Sequence, residues 1–81
     1  MSEYHVASFI VRCHARHLPG VTAQIQQIPG TEVHGQDAKG TVIVTIEGAN
    51  HGAIADQTEQ VRLIPNVVDV AAVYHEYAPA T

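Results

Sequence analysis

The sequence predicts one α+β domain: a four-stranded antiparallel sheet with two helices packed on one of its faces. Three observations predict it. Residues 5–13 and 41–47 place apolar side chains at alternate positions, the period of a strand. Residues from about 17 to 28 and from 51 to 64 place them at helical spacing. Ile28-Pro29-Gly30 is echoed thirty-six positions later by Ile64-Pro65-Asn66, so the chain makes one kind of connection twice.

The first strand sets Ala7, Phe9, Val11 and Cys13 on one side and Val6, Ser8, Ile10 and Arg12 on the other. Both sides carry apolar groups, which predicts a central strand. Leu18, Val21, Ile25 and Ile28 then fall at i, i+3, i+7 and i+10. They form the buried stripe of the first helix. Pro19 fits its first turn, where a missing amide hydrogen costs nothing. Pro29 disfavours helical geometry in the residue before it, and Gly30 tolerates positive φ in the turn that follows. Residues 31–36 form a short second strand, and residues 37–40 a hairpin loop that ends in glycine. The third strand sets Val42, Val44 and Ile46 against Ile43, Thr45 and Glu47. Asn50 is an N-cap for the second helix, whose stripe is Ile54, Thr58, Val61 and Ile64. Pro65 and Asn66 repeat the exit. Glu32-Val33 after the first exit is echoed by Asp69-Val70 after the second, one residue out of phase. Residues 67–77 are the last strand, and 78–81 a loose tail. Strand, helix, strand, strand, helix, strand is the order of the ferredoxin-like fold. Right-handed crossovers put both helices on one face.

The chain has 81 residues, of which 46% are hydrophobic and 15% charged. That composition is globular, and so few charges leave some apolar surface exposed. A formal net charge of −4 argues against nucleic acid, which needs Lys and Arg on its phosphates. It favours a basic partner. A single cysteine, Cys13, excludes an internal disulfide and fits a reducing compartment. No signal sequence opens the chain and no run reaches the ~20 apolar residues of a membrane span. The expectation is a soluble cytoplasmic protein.

Catalytic and metal motifs are weak. Cys13-His14 with His17 spells C-H-x-x-H, but zinc sites use paired ligands and only one thiol exists. A Cu(I) carrier would need a second cysteine. The six histidines read as surface and loop side chains. Cys13 and His14 are adjacent on a strand and point to opposite faces, so they make no nucleophile pair. No glycine-rich phosphate loop follows a strand. The outward positions lack the aromatics on which RNA bases stack. Arg12 and Arg16 lie near the end of strand one without a phosphate-cradling loop. None of these motifs spells a metal site or a catalytic centre.

Helices on one face leave the other face open. The covered face is assigned to Ala7, Phe9, Val11, Val33, Val42, Val44, Ile46, Val68, Val70, Ala72 and Tyr74. The open face carries Val6, Ser8, Ile10, Arg12, Glu32, His34, Ile43, Thr45, Glu47, Asp69, Ala71, Val73 and His75. An apolar strip of Val6, Ile10, Ile43 and Val73 is flanked by Glu32, Glu47 and Asp69. This surface suits a peptide with basic and apolar side chains. A half-solvated sheet or a dimer face would show the same pattern. A one-residue error in alternation would invert both lists.

With these elements placed, the chain resembles the NapD family, cytoplasmic assembly chaperones of periplasmic nitrate reductase. The resemblance runs from about residue 5 to 76. It rests on V-A-S-F-I-V (6–11), I-P-G-T-E-V (28–33), T-V-I-V-T-I-E (41–47), V-R-L-I-P (61–65) and V-V-D-V-A-A-V-Y-H (67–75). The closing V-Y-H is the most specific piece. The resemblance implies the ferredoxin-like fold. It also implies a non-enzymatic chaperone with no cofactor, which binds the twin-arginine signal peptide of the nitrate reductase catalytic subunit. Such a chaperone holds back export until the molybdenum cofactor is inserted. Alternation then nominates Ile10, Ile43, Thr45, Glu47, Asp69, Val73 and His75 as the signal-peptide site, with Glu47 and Asp69 near the arginines. Two other classes share the fold: a small-molecule (ACT-like) regulatory domain, which works on a larger protein, and a small enzyme, which needs an acid–base set not found here.

Overall fold

The computed structural model describes the backbone of residues 3–79 and the side chains of residues 5–73. The elements are β1 (Glu3–Cys13), a 3-10 turn (Ala15–His17), α1 (Leu18–Gln26), β2 (Thr31–Gln36), β3 (Thr41–Gly48), α2 (His51–Arg62) and β4 (Val67–Pro79). The sheet order is β2-β3-β1-β4 and every pairing is antiparallel. This is the predicted ferredoxin-like sandwich, with β1 central as its two apolar sides require. β4 runs two residues past its expected end, so Ala78 and Pro79 pair with Tyr4 and Glu3. Residues 80–81 of the expected tail lie outside the described residues.

Both helices stop two residues short of the isoleucine that closes their stripe. Ile28 and Ile64 instead sit in the exit turns, where each stays buried. The turns are tightened by bonds from Ile28 N to Ile25 O (3.0 Å) and from Ile64 N to Val61 O (3.2 Å), which satisfy carbonyls orphaned at a helix end. Gly30 follows at φ 82° and Asn66 at φ 78°, as the echoed phrase predicts. Asn50 caps α2 by accepting from Ala53 N at 2.8 Å. In the hairpin, Asp37 Oδ1 accepts from Lys39 N (2.9 Å) and Thr41 N (3.1 Å), and Gly40 takes φ 108°.

The sheet face under the helices is the predicted one. Val11, Val42, Val44, Val21 and Ile25 are almost fully buried, each contributing about 1.5–3 kcal/mol of hydrophobic stabilisation. Two assignments need correction. Val68 was expected on the covered face but is 62% exposed. The register explains it: Arg12 pairs with Asp69 and Cys13 with Val67, so Val68 is the extra residue of a β-bulge. Val67 and Val70 pack on the core instead. That extra residue is the phase slip between Glu32-Val33 and Asp69-Val70. The second correction is His5, which is buried rather than a surface histidine, its ring 4.6 Å from that of His51. Ala72 stands opposite Phe9 but is exposed on the edge strand. Tyr74, also assigned to the covered face, has its side chain outside the described residues.

Two further bulges occur, at Val73 in β4 and His34 in β2. All three lie on the edge strands. Bulges there twist an edge away from further strand pairing.

Candidate binding face

The face away from the helices is built in cross-strand rows. Arg12 stands between Thr41 and Asp69, and Ile10 between Ile43 and Ala71. Ser8 is beside Thr45, which pairs on its far side with Glu32. Val6 is beside Glu47. Cross-strand partners share a face, so the rows place Ile10, Ile43, Thr45, Glu47 and Asp69 together, as expected. Ile43 is 47% exposed and Val73 60%; Ile10 between them is half-buried. These three supply the apolar patch. Val73 is the unpaired residue of a β-bulge between Ala72, opposite Phe9, and Tyr74, opposite Ser8.

His75 was nominated for the same face. Its side chain lies outside the described residues. The backbone pairs His75 with Ala7, because the Val73 bulge puts one more residue in β4 than in β1.

The charges are arranged unevenly. Arg12 Nε donates to Asp69 Oδ1 at 3.0 Å and Nη2 donates to Oδ2 at 2.5 Å. The guanidinium holds the Asp69 carboxyl below the usual carboxylate range, chiefly through its hydrogen bond. Sequence reasoning placed Arg12 on this face but missed the pairing, because register between β1 and β4 cannot be counted through two unseen bulges. At the other end, His34 Nε2 lies 2.7 Å from Thr45 Oγ1 and 3.8 Å from a Glu32 oxygen. Glu47 is exposed, and its backbone N donates to Gly30 O at 2.8 Å.

The remaining sequence candidates do not converge among the described residues. Cys13 is buried and its thiol is pushed up by desolvation, the opposite of an activated nucleophile. His14 beside it is exposed. Among the described residues no three His, Cys, Asp or Glu side chains converge as metal ligands would. A groove of about 370 Å³ between the helix exits is lined by Gln24, Ile28, Gln60, Leu63 and Pro65 among others. It holds no charged side chain and none of the nominated residues. Among the described residues, no helix is long and apolar enough to cross a membrane.

The model of the NapD protein family matches residues 4–78. The chain belongs to the NapD family. Relatives named Chaperone NapD occur in Escherichia coli K12, 29% identical over 93% of this chain and 87% of theirs, and in Haemophilus influenzae, 28% identical over 91% and 81%. The solution structure of the E. coli Tat proofreading chaperone protein NapD superimposes with a TM-score of 0.84 at 30% identity, covering 90% of this chain and 78% of that one. A transcriptional regulatory protein of the AsnC family from Pyrococcus furiosus shares the fold alone, at TM-score 0.68 and 16% identity over 93% of this chain and 49% of its own. The chain is thus a member of a chaperone family, and its named NapD relatives are chaperones, not enzymes.

Proposed function

We infer that this NapD-family chaperone binds the twin-arginine signal peptide of the periplasmic nitrate reductase catalytic subunit on its open sheet face. Export is held back until the molybdenum cofactor is in the partner, which places the encounter in the cytoplasm. The observation that carries this is the pairing, on one face, of an apolar patch with carboxylates. A twin-arginine signal has a basic n-region followed by a moderately apolar stretch. Ile10, Ile43 and Val73 suit the stretch, and Thr45 offers a hydroxyl beside them. Glu47 and Glu32 suit the arginines. Proofreading by the solved E. coli relative supports the same reading.

Isothermal titration of the chain with the signal peptide, beside a twin-lysine version, tests it. Tight binding that weakens with lysine is expected, because an ammonium cannot make the two-pronged contact of a guanidinium. Affinity falls with added salt, since exposed charges are screened. No binding of either peptide would sink the proposal.

A further inference from the structure

Resting on that reading, the geometry points to a fixed direction for the bound peptide, enforced by Arg12. The basic end lies over Glu32 and Glu47. The apolar stretch runs along the strands across Ile43 and Ile10 toward Arg12. Asp69 takes no ligand arginine.

The face is electrically polarised. The chain has four Lys and Arg residues. Three of them, Arg12, Arg16 and Lys39, gather where β1 ends and β3 begins; there Cys13 N bonds to Gly40 O of the hairpin at 2.9 Å. Both carboxylates at that end are already engaged. Asp37 accepts the amides of Lys39 and Thr41. Asp69 gives both oxygens to Arg12, in the two-pronged geometry an incoming arginine would need. Arg12 is itself 62% exposed at the side chain, so its charge faces any ligand there. The opposite end of the face holds Glu32, His34 and Glu47, and no Lys or Arg among the described residues. From the Val6–Glu47 row to the Arg12 row is six residues of β1, about 20 Å at the rise of a strand. That spans ~13 helical residues of a ligand or ~6 extended ones. A basic segment joined to an apolar one therefore gains at one end and is repelled at the other.

The test is line broadening in the ¹⁵N spectrum of the full chain by signal peptides carrying a nitroxide. A label at the peptide's N-terminus is expected to broaden amides around Val6 and Glu47. A label after the apolar stretch is expected to broaden those around Arg12 and Thr41. The reverse pattern, or equal broadening at both ends, overturns the inference. No broadening with either label overturns the peptide reading itself, and this inference with it. Arg12→Gln then frees Asp69 and removes the repelling charge. The expected result is about 3–10-fold tighter binding of the twin-arginine peptide, steeper salt dependence, and N-terminal label broadening at both ends. Unchanged affinity with an unchanged pattern removes Arg12 from the role.

Discussion

The two helix exits use the same words and different surroundings. Ile28-Pro29-Gly30 and Ile64-Pro65-Asn66 make the same tightened turn and the same positive φ. The first, however, is pressed into the structure. A Cβ on Gly30 would lie 2.6 Å from the Glu47 carbonyl oxygen and as close to the Gln57 side chain, while Gln57 Nε2 donates to Pro29 O. Thr31 then turns its hydroxyl back, its single hydrogen shared between Ile25 O (2.6 Å) and Ile28 O (2.7 Å). The second exit is open. Asn66 is exposed, and Val67, in the place of Thr31, packs toward the core. Glycine is demanded by crowding at one exit, and φ alone sets the choice at the other.

The largest effect should come from Gly30→Ala. It adds a left-handed penalty to a backbone clash, about 3 kcal/mol in urea unfolding. Asn66→Ala should cost about 1 kcal/mol. Equal costs would show that crowding does not separate the exits. The helix entrances extend the contrast: α2 has the Asn50 cap, while α1 begins at His17 with no side-chain cap. Asn50→Ala should therefore lower stability by about 1 kcal/mol, and His17→Ala by less than about 0.5 kcal/mol. Thr31→Val should cost about 0.5–1 kcal/mol by removing the hydroxyl from the α1 exit. If it is neutral, the two exits are equivalent without that bond.

The smallest effect is a pH dependence confined to the β2–β3 hairpin. Backbone amides of Thr41 and Lys39 lower the Asp37 carboxyl below its usual range. A carboxylate lowered on folding adds stability that is full above its unfolded pKa, about 4. That stability fades as the pH falls through the lower folded value. Acid unfolding of Asp37→Asn should consequently show a shallower loss below about pH 4 than the parent chain. Identical profiles would remove the hairpin from the acid response.

Periodicity and turn chemistry were enough to place every strand and helix, because burial on one face imposes a period of two or 3.6 on the residues themselves. His5 shows where residue type misleads: it shares the parity of the buried Ala7 and Phe9, yet as a histidine it was read as a surface side chain. The sequence by itself determined the fold and the covered faces of β1 and β3, where Ala7, Phe9, Val11, Val42, Val44 and Ile46 are all buried. Tertiary structure alone decided what depends on register. The bulges at His34, Val68 and Val73 leave no mark that alternation can count, yet they set which side chains stand opposite. They leave Val68 exposed, pair His75 with Ala7, and bring Arg12 onto Asp69. The meeting of two residues fifty-seven positions apart is a property of strand pairing, and no local pattern in either strand encodes it.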